Sequence, residues 1–354
     1  MSAAPPPPRD NPDLIGHADA EAEILAALRA GRLHHGWLIA GPRGIGKATL
    51  AYRFARFLLA GTPETGTDTL HIAPDSAVFR RVAAGGHSDL LTLERRADAK
   101  TGKLRREIVV GDVRAVGPFL GLTAGEGGWR IVVVDAADDL NRNAANALLK
   151  LLEEPPRNTL FLLVAHAPGR LPATVRSRCR RLDLAPLDDA ALDRFLADAL
   201  PALAEEDRRT LARLAEGSPG RALELQEAGG PALFAEMLRL IGAFPGTDLI
   251  GLHALADGLG RADGEPAFRA FRDLLRWWLA RLVHAGASGR LPAPAAPGEG
   301  ELIQRLLGAR ALADWLEVWE KTSRLLSRGE ALDLDRRQIL LTCFSALAPA
   351  GSAR

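Results

Sequence analysis

Apolar and polar positions alternate in two different periods along this chain, and the change from one to the other divides it. In the first half, short apolar runs that read as strands are separated by segments with helical spacing. Trp37-Leu-Ile-Ala40 predicts a buried strand, and Leu50, Phe54, Phe57 and Leu58 mark one face of a helix after it. Asp89-Leu-Leu-Thr-Leu93, Arg130-Ile-Val-Val-Val134, Thr159 to Val164 and Arg181 to Leu184 predict four further strands. The run at 130–134 is β-branched almost throughout, as expected of a strand buried on both faces. Helices are expected over Val113 to Leu122 and Leu140 to Glu154, the latter with Leu140, Ala144, Leu148, Leu151 and Leu152 on one side and Pro155-Pro156 as its stop. Residues 61–87 read as an irregular connection with a short helix. Such alternation predicts an α/β layer with a largely parallel sheet.

From Pro186 the strand pattern stops. Asp188 to Leu200, Glu205 to Glu216 and Pro219 to Ala228 predict three short helices, and the chain stays helical beyond Gly229. The expected organisation is a disordered, proline-rich leader over 1–10, an α/β domain over 11–185, a small helical domain over 186–230 and an all-helical domain over 231–350. A length of 354 residues suits two or three domains.

Composition narrows the functional classes. The chain is 47% hydrophobic and 25% charged, with a formal net charge of +1, so no broad basic field marks it as a stand-alone nucleic-acid binder. No apolar run reaches the roughly 18 residues that span a bilayer, and a cytoplasmic location is expected. Two cysteines, Cys179 and Cys343, cannot build a four-thiolate zinc site or a disulfide framework. The charged stretch from Arg95 to Arg106 reads as a solvated hairpin or loop, with a DNA contact as the alternative.

The chemistry concentrates at Gly41-Pro-Arg-Gly-Ile-Gly-Lys47, between a strand and a helix. Glycines at 41, 44 and 46 let backbone N–H groups close around phosphates, and Lys47 stands where a lysine reaches the outer ones. The next position in a complete loop carries a hydroxyl for magnesium, and here it is Ala48. Thr49 is turned about 100° away on a helix and is a poor substitute. Asp135, at the end of the strongest strand, suits a magnesium-coordinating carboxylate, but the water-activating glutamate expected after it is Ala136. Asp138 and Asp139 are expected to cap the following helix. His166 occupies the position of a γ-phosphate sensor, or is a structural hydrogen-bonder. Arg221, after Gly217-Ser-Pro-Gly220, either reaches toward a nucleotide or lies on the surface. From spacing alone Arg176, Arg178 and Arg180 are equivalent solvent-facing arginines.

Five segments carry a resemblance: Arg32-Leu-His-His35, the loop from Gly41 to Lys47, Asn146 to Pro156 ending Leu-Glu-Glu-Pro-Pro, Leu171 to Cys179 ending Ser-Arg-Cys, and Gly217-Ser-Pro-Gly-Arg-Ala-Leu223. Over residues 10 to 230 the chain resembles the clamp-loader branch of the AAA+ proteins. That resemblance implies a P-loop AAA+ domain, a small helical lid, and a C-terminal collar that assembles a hetero-pentamer with the family's gamma/tau motor and delta subunits. It also implies work on a sliding clamp and primer–template DNA, with Arg178 supplied as an arginine finger to a neighbour's ATP. Gly41, Gly44, Gly46, Lys47, Thr49, Asp135 and Arg221 are the implied nucleotide-binding residues, for ATP or ADP with Mg. Many relatives carry a four-cysteine zinc module after the P-loop helix; residues 60–90 contain no cysteine, so no metal is expected. Ala48 and Ala136 point to a subunit without efficient ATPase activity. The alternatives are an independent ATPase, in which Thr49 and Asp138 or Asp139 compensate, and a nucleotide-binding scaffold without turnover. Trp277-Trp278, Trp315 and Trp319 read as interface anchors or intradomain core.

Overall fold

The computed structural model describes residues 6–61, 67–98, 100–125, 128–246, 248–332 and 334–348. The first five residues of the expected leader, residues 62–66 of the irregular connection and residues 349–350 of the helical region lie outside them. The chain forms two compact units, Met1–Phe195 with Gly217–Gly220, and Leu196–Glu216 with Arg221–Arg354.

In chain order the first unit contains α1 (Ala18–Arg29), β1 (Gly36–Ala40), α2 (Lys47–Leu59), α3 (Ala77–Ala83), β2 (Leu90–Glu94), α4 (Val110–Val113), α5 (Val116–Gly121) and β3 (Arg130–Asp135). It continues with α6 (Arg142–Glu153), β4 (Thr159–Ala165), α7 (Ala173–Arg176) and β5 (Arg180–Asp183). All four strand pairings are parallel, in the order β2-β3-β4-β1-β5. Side chains of a strand alternate between faces, and each face here is covered. Trp37, Ile39, Ile131, Val133, Leu160 and Leu162 join one apolar layer with α1 and α2. Leu38, Val132, Val134, Phe161 and Leu163 join the other, with α5 and α6. The α/β layer with a parallel sheet is therefore as the pattern predicts.

Local chemistry moved several boundaries. The helix expected over Val113 to Leu122 is two short ones, α4 and α5, with Arg114 and Ala115 between them. α6 starts at Arg142 because Asn141 caps it, accepting from the Ala144 N–H at 3.0 Å. Asp138 and Asp139 sit in a 3-10 turn over Ala137–Asp139 and do not cap that helix. Residues 9–12 lie along α2: Arg56 donates to the carbonyls of Arg9 and Asn11 at 2.8 Å each, and Arg53 bonds Pro12 O while pairing with Glu21 at 2.8 Å.

The divide between units passes within α8 (Asp189–Ala199) and α10 (Pro219–Glu227). The second unit also holds α9 (Glu205–Ala215), α11 (Gly230–Gly242), α12 (Leu249–Gly260), α13 (Glu265–Ser288), α14 (Glu299–Ala309), α15 (Leu312–Leu332) and α16 (Arg336–Leu347). Trp278 and Trp315 are buried in this unit, and Trp315 Nε1 donates to Leu306 O at 3.1 Å. Trp277 and Trp319 are half-buried; Trp277 meets Phe234 edge-on at 5.9 Å and lies under Arg281. Among the described residues no helix is long and apolar enough to cross a membrane.

Phe161 is fully buried on the central strand β4. Replacing it with Ala leaves a cavity and should cost about 3–5 kcal/mol, read as a lowered denaturant midpoint of the unfolding transition that follows the sheet.

Candidate functional site

The parallel sheet delivers β1, β3 and β4 to one edge, and the glycine loop leaves β1 there. Gly41 has φ +149°, and a Cβ on it would stand 2.4 Å from Leu184 O and 2.7 Å from Ile45 Cδ1, so a larger residue does not fit. Gly46, at φ +105°, is the N-cap of α2. Four consecutive loop carbonyls are bonded. Pro42 O accepts from Lys47 Nζ, Arg43 O from Ser218 Oγ at 2.8 Å, Gly44 O from the Gly220 N–H at 2.9 Å, and Ile45 O from His17 Nε2 at 2.7 Å. A trans peptide holds its N–H opposite its C=O. The amides of Arg43, Gly44, Ile45 and Gly46 therefore point away from these donors. Backbone N–H groups presented this way at a helix N-terminus fit an anion.

The bracing residues were only partly visible in the sequence. Gly217-Ser-Pro-Gly220 belongs to the motif set, but its contact with the loop does not follow from the motif. A Cβ at Gly220 would come within 2.9 Å of Gly44 Cα, which explains the glycine. His17 was missed altogether. Since Ile45 O can only accept, His17 Nε2 carries the proton; burial and then the Lys47 charge hold its pKa below the ordinary value, against that hydrogen bond.

Lys47 is 3% exposed. Burial pushes its ammonium down to about 8, with Asp135 and Asp138 acting in the opposite direction and Arg43 reinforcing the drop. Asp135 terminates β3 with its carboxyl raised above the usual carboxylate range, by burial and then by Glu94; Lys47 opposes this, and Asp139 and Asp138 add to it. Asp138 ties the exit of β3 to that of β4, accepting from the N–H groups of His166 and Ala167 at 2.9 and 3.2 Å. Asp139 pairs with Arg95 at 3.1 Å. Desolvation of the His166 imidazole, then the Lys47 charge, lowers it to about 4, so it is neutral near pH 7. Thr49 is buried on α2, and Ala136 is buried beyond β3. The loop and Lys47 fit a phosphate chain. The ligand set for Mg is less complete, since Asp135 is present and Ala48 supplies no oxygen. Among the described residues no group of three or more His, Cys, Asp or Glu side chains is arranged to hold a metal ion.

Arg178 lies at the other edge of the sheet. Trp37 pairs with Arg180 at the start of β1, while the glycine loop begins after Ala40. Four strand steps of about 3.3 Å put roughly 13 Å between these edges. Arg178 Nη2 pairs with Glu153 at 2.6 Å, and its Nη1 donates to Thr174 O at 3.0 Å. Nearby, His35 Nε2 bonds Leu152 O at 3.0 Å. The segments ending Leu-Glu-Glu-Pro-Pro, Ser-Arg-Cys and Leu-His-His thus meet at one place. Burial pushes the Cys179 thiol up to about 12, which leaves it protonated. The three neighbouring arginines are no longer equivalent. Arg180 is committed to Glu23, with two bonds at 2.8 and 3.0 Å, and stacks over Trp37; Arg176 is exposed. Arg221 belongs to the second unit, where it pairs with Glu216 at 3.0 Å.

Comparisons with known proteins agree in one direction. Residues 16–188 match the sequence model of a family described as DNA polymerase III, delta subunit. The chain is 38% identical over 196 residues to the DNA polymerase III subunit delta' of Pseudomonas aeruginosa, a match covering 55% of this chain and 56% of the relative. It is 36% identical over 203 residues to the DNA polymerase III subunit delta' of Escherichia coli strain K12, covering 57% and 58%. The DNA polymerase III subunit tau of the same strain is 32% identical over 224 residues, covering 62% of this chain and 33% of tau. The chain spans little more than half the length of the two delta' relatives.

The depressed Lys47 has a consequence for stability. Its folded-state pKa of about 8 lies below the ordinary 10.5, so between those values the unfolded chain binds more protons and the lysine's penalty shrinks as pH rises. Below pH 8 the penalty is complete. Lys47→Met should therefore stabilise the chain most at pH 7, and its advantage over wild type in urea unfolding should narrow by pH 10.

Proposed function

We propose, from the match of residues 16–188 to the sequence model described as DNA polymerase III, delta subunit, that the chain is a non-motor subunit of the clamp-loader complex. Its AAA+ unit binds a motor neighbour and presents Arg178 to that neighbour's ATP. The complex uses ATP to open a sliding clamp and place it on primed DNA, and this subunit contributes position and one guanidinium. The gamma/tau motor and delta subunits are its expected partners in a hetero-pentamer, with the helical residues 231–350 as the collar and the lid over 186–230.

The observation that carries the reading is the separation of Arg178 from the chain's own phosphate loop by the length of a strand. At roughly 13 Å the guanidinium is out of hydrogen-bond reach of any phosphate held at Gly41 to Lys47. A phosphate that Arg178 serves therefore belongs to another chain. Its geometry suits that task. Glu153 and Thr174 O hold the two ends of the planar fork, and a half-exposed arginine positioned in this way can exchange those partners for charge developing on a transferring phosphoryl group. A finger supplied in trans is worth about 10³ to 10⁵ in rate.

The chain's own loop supports binding without efficient turnover. A bound nucleotide supplies phosphates that Gly44, Gly46 and Lys47 can hold, with Gly41 permitting the loop's exit from β1, Asp135 directed at a magnesium ion and Thr49 packed behind. Hydrolysis needs a magnesium hydroxyl and an activated water, and Ala48 and Ala136 provide neither.

Arg178→Ala in the reconstituted complex should cut DNA-stimulated ATP turnover several-fold with assembly intact by size-exclusion chromatography, and Arg178→Lys, which keeps charge but not the fork, should restore little. Unchanged turnover in a fully assembled complex would refute the finger. For the chain's own site, ATP or ADP affinity measured by equilibrium fluorescence should fall as pH rises above about 8, where Lys47 loses its proton; in Lys47→Arg that pH dependence should vanish.

A further inference from the structure

The segments ending Leu-His-His, Leu-Glu-Glu-Pro-Pro and Ser-Arg-Cys meet at the N-terminal edge of the sheet, and the function proposed above leaves the two histidines without a task. The reason for them lies in how α6 ends. A helix leaves its last carbonyls without partners, and backbone N–H groups just beyond the cap usually close them. At 3-10 or α spacing, the Leu152 carbonyl would accept from the N–H of position 155 or 156. Pro155 and Pro156 have no N–H to give. The stop that ends the helix thus strips both local donors from a carbonyl on a buried residue, where a bare polar group is costly. His35 supplies the missing donor, with Nε2 at 3.0 Å from Leu152 O.

His35 is itself fixed to the sheet. Its carbonyl accepts from the Phe161 N–H of β4 at 2.7 Å, and its ring stacks on His34 with centroids 4.4 Å apart. His34 Nδ1 lies 2.8 Å from Gly36 O at the start of β1. Burial, then the His34 charge, holds the His35 pKa below its ordinary value against the Leu152 bond, so the ring is neutral near pH 7. Because Leu152 O can only accept, the proton of that neutral ring sits on Nε2. Packing holds the same helical turn: a Cβ on Gly36 would stand 3.3 Å from each of Arg178 O, Cys179 Sγ and Leu152 Cδ2. The residue after Leu152 is Glu153, whose carboxylate takes Arg178 Nη2 at 2.6 Å. Contacts therefore run unbroken from two central strands, through His35 and the last turn of α6, to the guanidinium.

We propose that His35 and Glu153 are positioning residues for Arg178: His35 locks the final turn of α6 to the sheet, and Glu153, carried on that turn, sets the direction of the guanidinium. Neither touches a phosphate. The inference rests on the reading of Arg178 as a finger, and it adds the parts that aim it. Thr174 O also meets the fork, at 3.0 Å from Nη1, but it lies on the same short segment as Arg178 and moves with it. Glu153 belongs to a different element, fastened separately, so it alone of the two fixes the fork relative to the sheet. Alignment matters because misplacing a reacting or stabilising group by about 1 Å can cost roughly a hundredfold in rate. An arginine aimed in advance also loses less side-chain freedom when it meets charge.

The test uses the full chain in the reconstituted complex, with kcat and KM for ATP read from DNA-stimulated turnover and assembly checked by size-exclusion chromatography. Glu153→Ala and His35→Leu should each lower kcat about two- to fivefold, the scale of one partly exposed ion pair or one hydrogen bond, with KM for ATP unchanged. His35→Gln, whose amide nitrogen reaches the place of Nε2, should recover most of the loss. In an Arg178→Ala background neither Glu153→Ala nor His35→Leu should lower turnover further, because the group they position is gone. A general loss of stability would act in both backgrounds, and Gln would not rescue it. Glu153 is exposed, so its replacement leaves folding intact; wild-type kcat in Glu153→Ala overturns the proposal. Losses that add to that of Arg178→Ala overturn it as well, as does a His35→Gln no better than His35→Leu. Should His35→Leu fail to assemble, the outcome is read from Glu153→Ala with and without Arg178→Ala. If Arg178→Ala keeps full turnover, the finger and this inference fall together. If Arg178→Ala is defective while Glu153→Ala and His35→Leu match wild type, the finger stands and this inference alone fails.

Discussion

Strands β1, β3 and β4 are buried on both faces, and each of their side chains must enter one of two apolar layers. Strands of that kind pair in parallel with helices covering both sides. Parallel pairing in turn gives the sheet two chemically different edges. All strand C-termini arrive at one, carrying the loop from Gly41 to Gly46, Asp135 and His166. At the other, the N-terminal edge, the segments before β1 and β5 gather beside the end of α6. The separation of the phosphate loop from Arg178 is a product of this arrangement, and it would vanish if β5 were antiparallel.

At the C-terminal edge the loop's shape is imposed from outside. Its carbonyls are held by His17, Ser218, Gly220 and Lys47, so its amides turn the other way with no anion needed to organise them. The cost falls on Lys47, whose charge is buried close to Asp135 and Asp138 and whose proton is held weakly. An entering phosphate would relieve that penalty, since opposite charge favours the ammonium form. Burial, reinforced by that charge, keeps His166 neutral and disposes it to accept or donate a hydrogen bond and not to act as a cation.

At the N-terminal edge ion pairs distinguish neighbouring arginines. Glu153 closes α6 immediately before Glu154 and the proline pair, and the stop that ends the helix leaves this carboxylate beside Arg178. Arg180 is taken up by Glu23 and Trp37, a structural task that binds β5 to α1. A shared spacing in sequence thus resolves into different chemistry because each arginine meets a different neighbour.

The sequence by itself determined the strands, the parallel layer, the glycine loop and the alanines at 48 and 136. These are local matters, set by the period of apolar residues and by the identity of a residue at a fixed offset from a motif. It did not determine that Asn141 rather than Asp138 or Asp139 caps α6, because a 3-10 turn displaced the helix start and engaged Asp138 with the next strand's exit. Nor could it show that Ser218 braces Arg43 across 175 residues of chain, or that Glu153 pairs with Arg178. Hydrogen bonds and ion pairs of that kind depend on where the backbone brings two distant groups, and only the packed sheet fixes those distances.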